Sequence, residues 1–165
     1  MKKNIHYILI FSFLIFFIEG CDEGISPEEE PLVAEAHGIE GTLYFTNWPP
    51  ADSVIDLRLV AFLNYPPVDI ISEVLQGRAK YTDKLPYGVD SINFTLILNP
   101  LPADTIRCIA VGQQFGNNIQ EDWRLVGVYY TPGDSSFPGR VFIPPDSIVG
   151  GINIKVDYKK LPPQP

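Results

Sequence analysis

Beyond residue 38, apolar and polar residues alternate in short runs that are separated by Pro, Gly, Asn and Asp. The run 152–158 is the clearest example. Its Ile152, Ile154, Val156 and Tyr158 fall on one side of an extended chain, the side predicted to face inward, and the intervening residues are polar. Such period-two alternation predicts a strand with one buried face. Five further runs have the same character, and they cover 39–47, 55–64, 91–98, 105–115 and 123–130.

These runs predict an all-β fold, a single antiparallel Greek-key β-sandwich of about seven strands. The 16 prolines and 13 glycines of the chain favour many turns over long helices. In the run 105–115, alternation places Ile106, Cys108 and Ala110 opposite Arg107, Ile109 and Val111. The run 68–76 is ambiguous, because its apolar spacing fits one helical face but also a strand or an irregular crossover.

The N-terminus has the features of a secretory signal peptide. Lys2 and Lys3 precede an apolar run, 7–18, that only Ser12 interrupts. A membrane-spanning helix needs about 20 apolar residues, so this run is too short to remain as a span.

The sequence Ile18-Glu19-Gly20-Cys21 resembles the lipobox of bacterial lipoproteins. The resemblance implies cleavage after Gly20 and acylation of Cys21, for example with palmitate. The mature chain would then be held in a lipid membrane of the bacterial cell envelope, with the outer membrane as the expected location. Glu19 departs from the small or apolar residue usual at its position. The alternatives are a secretory signal with an incidental cysteine and an uncleaved anchor.

Charge divides the rest of the chain. The segment 22–40 holds seven acidic residues and no Lys or Arg, whereas the segment from Gly41 onward has 12 acids and 10 bases. We therefore predict a signal peptide over 1–20, a disordered acidic tether over 21–38, the β-sandwich over 39–160 and a Pro-rich tail over 161–165. The acids after Cys21 also resemble the export tag of surface-exposed lipoproteins in some Gram-negative bacteria; a self-repelling spacer is the alternative. No basic stripe is present for binding nucleic acid.

Catalytic and metal-binding patterns are absent from the sequence of the predicted domain. The only histidines, His6 and His37, precede it, and Cys108 has no cysteine partner if Cys21 is acylated. The sequence contains no phosphate-binding glycine loop and no nucleophile elbow. We expect no enzyme activity, no cofactor and no metal. Two alternatives stay open. A catalytic carboxylate pair could be drawn from Asp52, Asp56, Glu73, Glu121 and Asp122. Turn carboxylates such as Asp52 and Asp56, or Glu121 and Asp122, could hold calcium, although their spacing matches no known calcium loop.

A short motif of Asp, hydroxyl residue and β-branched aliphatic residue occurs four times, at 52–54, 90–92, 104–106 and 146–148. One interpretation is turn formation, in which Asp accepts backbone hydrogen bonds and the aliphatic residue starts the next strand. The motif also resembles the O-glycosylation signal of some bacteria rich in surface lipoproteins. That resemblance implies glycan acceptors at Ser53, Ser91, Thr105 and Ser147.

Aromatic residues at the predicted strand ends are the best binding candidates: Trp48, Tyr65, Trp123, Tyr129 and Tyr130. Exposed rings can stack on sugars or on a partner protein, but rings at strand ends also close a sandwich core. Two stretches resemble the transthyretin-like or carboxypeptidase-regulatory-like sandwiches, namely 38–43 as the opening strand and 94–96 followed by 106–111 as a central hairpin. This resemblance implies an accessory module without catalysis.

The sequence thus predicts a membrane-anchored envelope lipoprotein whose β-sandwich acts as an interaction or structural module. The alternative is a surface-tethered carbohydrate-binding module. The expected partners are the lipid membrane, through Cys21, and an envelope protein or a glycan.

Overall fold

The computed structural model describes residues 37–99 and 105–164. The predicted signal peptide, with Gly20 and Cys21, and the predicted tether up to residue 36 therefore lie outside the described residues. The prediction of an all-β sandwich is confirmed, with one short α-helix, α1 (Ile70–Leu75), and one 3-10 turn (Ala51–Ser53). The strands are β1 (Gly38–Thr46), β2 (Asp56–Phe62), β3 (Ala79–Tyr81), β4 (Ser91–Ile97), β5 (Thr105–Ile106), β6 (Cys108–Gln114), β7 (Trp123–Val128), β8 (Val141–Phe142), β9 (Ile148–Val149) and β10 (Ile154–Asp157).

Two four-stranded sheets form the sandwich. Sheet A has the order β10-β1-β4, with β9 also pairing with β1, and sheet B has the order β3-β2-β6-β7. A separate two-stranded sheet joins β5 and β8. Most pairs are antiparallel as predicted, but β1 pairs in parallel with both β9 and β10. Alternation along a single strand defines its faces and does not define the direction of its neighbour, so these parallel pairs could not be predicted from it.

The main core lies between the two sheets. Ile39 and Leu43 of β1, Leu57 and Leu59 of β2, and Ile154 of β10 are at most 1% exposed. The predicted inward face of 152–158 is confirmed, because Ile152, Ile154 and Val156 are buried while Asn153 and Lys155 are exposed. Gly41 lies where any Cβ would collide with the carbonyl oxygen of Ile152, which brings the segment before β10 close against β1.

Sheet B is covered on both faces, unlike the half-buried strands that alternation predicts. Every residue of β6 is buried, and a second core cluster on the outer face of the sheet includes Cys108 and Ala110, packed under Ile70 of α1. The alternation predicted for 105–115 is also wrong at its start. It placed Ile106 on the face opposite Ile109, but both residues lie in the main core. The exposed Arg107 separates β5 from β6 and donates its backbone N–H to Phe62 O at 3.0 Å, so the alternation changes phase there.

The central hairpin implied by resemblance does not form. β4 belongs to sheet A and β6 to sheet B, so the two strands are not paired. The ambiguous run 68–76 becomes α1, and the Asp69 side chain caps its N-terminus by accepting a hydrogen bond from Ser72 N at 2.6 Å. In the described part of the chain, no helix is both long enough and apolar enough to cross a bilayer.

Candidate functional site

Helix α1 is fixed to sheet B by an ion pair that is mostly buried. The Glu73 carboxylate accepts hydrogen bonds from Arg78 Nε and Nη2, both at 2.9 Å, and Glu73 is 1% exposed. The bonds from Arg78 lower the pKa of Glu73 below its ordinary value, despite the opposing effect of burial. Because Arg78 immediately precedes β3, this pair holds a six-residue helix that could not persist by itself.

A structured loop before β7 positions the Trp123 ring. Asn118 organises the loop, accepting from Gln120 N at 3.0 Å through its side chain and donating from its own backbone N–H to Asp122 Oδ2 at 2.8 Å. Trp123 Nε1 donates to Ile119 O at 3.0 Å, which fixes the indole against the loop. The indole N–H thereby has its hydrogen-bond acceptor, and the ring packs against the second core cluster.

Between α1, β2 and the Trp123 ring lies a cleft of about 410 Å³, which we call the Trp123 cleft. Apart from the rings, the apolar part of its lining comes from Val60, from Ile119 and from the four apolar residues of α1, Ile70, Ile71, Val74 and Leu75. At one end Arg58 Nε donates to Asp56 Oδ2 at 2.8 Å, and the Arg58 guanidinium carbon lies 5.3 Å from the Tyr81 ring centroid. The cleft therefore combines a Trp, a Tyr and an Arg, the residue types most enriched at binding hot spots.

Large apolar side chains around this cleft are exposed to solvent. Leu75 is 79% exposed, Ile119 61% and Tyr81 46%. A second cleft of about 420 Å³ adjoins the other side of Trp123 and carries Val68, which is 81% exposed, together with Phe115. Exposed apolar residues grouped in this way mark interaction surfaces, whereas scattered single ones do not.

Trp48 lies elsewhere and closes the main core. Its ring stacks on Phe45 with centroids 4.8 Å apart, and it contacts the rings of Tyr87 at 4.9 Å and Tyr158 at 5.0 Å. Its Nε1 donates to Val89 O at 2.9 Å. These contacts favour the core interpretation of Trp48 over the binding one.

The five candidate rings do not form one row. Tyr129 packs on the main core against Gly139, where a Cβ would lie 2.6 Å from the Tyr129 ring. Tyr65 is exposed beside Tyr130, and burial, followed by the nearness of Tyr65, raises the pKa of Tyr130. Tyr130 also lines a groove of about 860 Å³ with Asn153 and Lys155. Only Trp123 among the five belongs to the apolar cleft.

The four candidate glycan acceptors lie at turns or strand starts. Ser53 Oγ donates to Pro50 O at 2.6 Å and Ser147 Oγ donates to Pro145 O at 3.1 Å. Ser91 begins β4 and is exposed, and Thr105 begins β5. Asp104 is outside the described residues. Among the other three, no Asp side chain accepts a hydrogen bond within the described ranges, so the hydroxyl groups rather than the carboxylates support the turns at Ser53 and Ser147.

Most of the candidate carboxylates have structural partners. Asp56 pairs with Arg58 and Glu73 with Arg78. Asp122 accepts from Asn118 N, and Glu121 Oε2 accepts from Asn118 Nδ2 at 3.0 Å. Asp52 lies exposed in the 3-10 turn. Within 37–99 and 105–164, no three His, Cys, Asp or Glu residues are grouped so that they could hold a metal ion.

Comparison with family models, with curated proteins and with solved structures gives no match to this chain. The site therefore has to be judged from its own geometry. Sequence reasoning identified Trp123 but not its neighbours Leu75, Ile119 and Arg58. For Ile119 a signal was available, since it is a single apolar residue within the polar stretch Asn117-Asn118-Ile119-Gln120-Glu121.

Proposed function

We propose that this chain is a bacterial envelope lipoprotein whose β-sandwich is a non-catalytic interaction module. Acyl chains on Cys21 hold it in the outer membrane, and the Trp123 cleft binds an apolar segment of another envelope protein. The observation that carries the binding proposal is the cluster of exposed Leu75, Ile119 and Tyr81 around one Trp and one Arg. Covering such side chains gains about 1.5–3 kcal/mol for each one that becomes fully buried.

The lipid anchor is supported by the sequence 18–21 and can be tested by counting thiols. The chain has two cysteines. Cys108 is fully buried, and burial raises its pKa to about 12, so it should not react in the folded protein. If Cys21 is acylated, a thiol reagent should detect no thiol in the native protein and one after unfolding.

The same thiol count would also reveal a Cys21 that is not acylated. A native thiol that reacts at once, with two thiols after unfolding, would show that Cys21 is unmodified. As a second test, the Cys21→Ser variant should lose lipid labelling and leave the membrane fraction. A variant that stays membrane-bound with an unchanged mass would refute the lipobox interpretation.

The cleft can be tested with charged substitutions at exposed positions, which should leave the fold intact. A photo-crosslinking residue replaces Gln120 at the edge of the cleft, and native envelopes are illuminated. The Leu75→Glu and Ile119→Glu variants should each lower the yield of a specific crosslinked protein at least about tenfold, since 1.4 kcal/mol corresponds to a factor of ten. Phe137→Glu is the matched control, because Phe137 is 70% exposed and does not line either cleft beside Trp123. Equal losses for all three variants would contradict the proposal.

A glycan is the second candidate ligand, and the groove at Tyr130 is the feature that favours it. One ring there lies beside the polar side chains of Asn153, Lys155 and Asp134, a combination suited to stacking and hydrogen bonding with a sugar. Retardation of the protein in polysaccharide gels, abolished by Lys155→Ala and unaffected by Leu75→Glu, would favour this function over protein binding.

A further inference from the structure

Among the described residues, strand β4 has a pairing partner along only one of its two edges. In its ladder with β1, Leu98 N donates to His37 O and Asp90 O accepts from Phe45 N, so the even-numbered residues direct their backbone groups towards β1. Because direction alternates along a strand, the N–H and C=O groups of the odd-numbered residues point away from β1. These residues are Ser91, Asn93, Thr95 and Ile97. All four are exposed, and within the described residues β4 has no pairing partner other than β1.

The other sheet edges in the described part of the chain are short or covered. β3 has only three residues. On β7 the Gln164 side chain acts as a substitute strand, accepting from Leu125 N at 2.8 Å and donating to Leu125 O at 3.0 Å. β10 lies against β7, where a Cβ on Gly127 would be 2.7 Å from Val156 Cγ2. The edge of β4 stands out by contrast.

The sequence of β4 also lacks the features that normally prevent edge pairing. Ser-Ile-Asn-Phe-Thr-Leu-Ile contains no charged residue and no proline, and its register with β1 is unbroken from Ser91 to Ile97. Proteins usually place Lys, Pro or a bulge on an exposed edge, since an unprotected edge pairs with other chains. A seven-residue edge of this kind is suited to pairing.

We propose that β4 pairs antiparallel with β4 of a second copy of this chain, in a two-fold register centred on Phe94. This register sets Asn93 opposite Thr95 of the second copy and Ile92 opposite Leu96, so polar residues face polar ones and apolar residues face apolar ones. Each odd-numbered residue then meets another odd-numbered residue, which pairs every open backbone N–H and C=O of the two strands. The interface is isologous, as a closed dimer requires.

Side-chain complementarity is the reason for choosing a second copy over a foreign strand. Backbone hydrogen bonds would accept any extended chain, but the five central residues of the strand, Ile92 to Leu96, are matched to their own reversed sequence. The pairing also covers Ile97, which is 47% exposed in the single chain, by bringing it opposite Ser91. No like charges meet along this edge, although the whole chain has a net charge of −8, because the acids are concentrated elsewhere.

Sedimentation velocity of the purified full chain in detergent tests the proposal. The wild type should form a dimer whose fraction rises with concentration. Asn93→Lys with Thr95→Lys places lysines opposite lysines and should abolish the dimer. Asn93→Glu with Thr95→Lys places opposite charges together in this register alone and should retain it. Ser135→Lys with Ser136→Lys adds the same charge at exposed positions between β7 and β8, away from β4, and should behave as wild type.

Disulfide trapping provides a second measurement that does not depend on stability. Opposed residues of this type have Cα atoms about 5.5 Å apart, within the range of a disulfide. A mixture of Asn93→Cys chains and Thr95→Cys chains should therefore crosslink several-fold faster than either variant alone. Cys108 is fully buried and should not contribute. A monomeric wild type, an unchanged dimer in the double-lysine variant, or equal crosslinking in the mixed and separate samples would overturn the proposal. These positions lie on sheet A, so none of these results depends on the Trp123 cleft.

Discussion

The two partners of the Glu73–Arg78 ion pair differ in burial, so replacing one should cost more stability than replacing the other. Glu73 is almost fully buried, whereas about a third of the Arg78 side chain, 32%, is exposed. Removing the positive charge leaves a carboxylate without water or counter-ion, while removing the negative charge leaves a guanidinium that can turn to solvent. We therefore expect Arg78→Met to destabilise the protein more than Glu73→Gln, although both remove the same ion pair and keep much of the side-chain volume.

The expected magnitudes follow from the two environments. Breaking a buried pair by removing one partner costs about 3–5 kcal/mol when the other charge stays buried, and this applies to Arg78→Met. Glu73→Gln loses charge-assisted hydrogen bonds to a group that can be rehydrated, so a cost of about 1–2 kcal/mol is expected. The double variant should be more stable than Arg78→Met alone, because it contains no unpaired buried charge.

Urea unfolding at a series of pH values provides the assay. In the wild type the native pKa of Glu73 is lowered from 4.5. The stabilisation from the pair is therefore complete above the unfolded pKa and is lost as the pH falls through the native one. In Arg78→Met, burial without a counter-charge should raise the native pKa instead, so its deficit relative to wild type should shrink in acid. A Glu73→Gln cost equal to or larger than that of Arg78→Met at neutral pH would refute this reasoning.

Three further predictions concern Trp48, Tyr158 and the Asp-hydroxyl motif. Trp48→Ala should lower the free energy of unfolding by about 2–4 kcal/mol, because the ring packs on Phe45 and Tyr158. The same variant should leave crosslinking at the Trp123 cleft unchanged. Preserved stability with lost binding would reverse the assignment of Trp48 to the core. Tyr158→Phe should be neutral or stabilising by up to about 1 kcal/mol in thermal unfolding, since the Tyr158 hydroxyl is buried without a hydrogen-bond partner among the described residues. Intact-mass measurement of protein from its native cells tests the glycan interpretation of the Asp-hydroxyl motif. A mass without hexose increments would remove that interpretation, and a single increment that is lost in Ser91→Ala would support it.

The sequence predicts which side chains point inward in strands that have one solvated face. In strands that are buried on both faces it predicts this only in part. The alternation in 152–158 matches the observed burial because Lys155 and its neighbours on that face meet water. β6 has no such face, since α1 covers the outer side of sheet B, and its apolar run therefore carries no information about which residues point inward. A helix of six residues has fewer than two turns, so its periodicity could not reveal the cover either.

The candidate site was visible in the sequence only through Trp123. Arg58, Leu75 and Ile119 are far apart along the chain and meet only because β2, α1 and the loop before β7 converge on one face of sheet B. The choice between core and binding for Trp48 likewise depends on Tyr87 and Tyr158, which local pattern cannot bring together. Sequence pattern thus predicted the faces of strands, whereas the contacts between distant segments required the fold.

The two proposed surfaces belong to different parts of the sandwich, and this has a consequence for binding. Pairing through the edge of sheet A leaves the Trp123 cleft of sheet B accessible, so a dimer would present two such clefts. Two linked sites bind a surface with many ligands more tightly than either site binds one ligand. Asn93→Lys with Thr95→Lys should therefore weaken retention on a densely coated surface while leaving affinity for a single soluble ligand segment unchanged. Ile119→Glu should weaken the binding at each cleft, and should therefore lower both the retention on the coated surface and the affinity for the single soluble segment. Equal effects of the double-lysine variant on single and multiple ligands would show that the edge of β4 and the cleft are not independent.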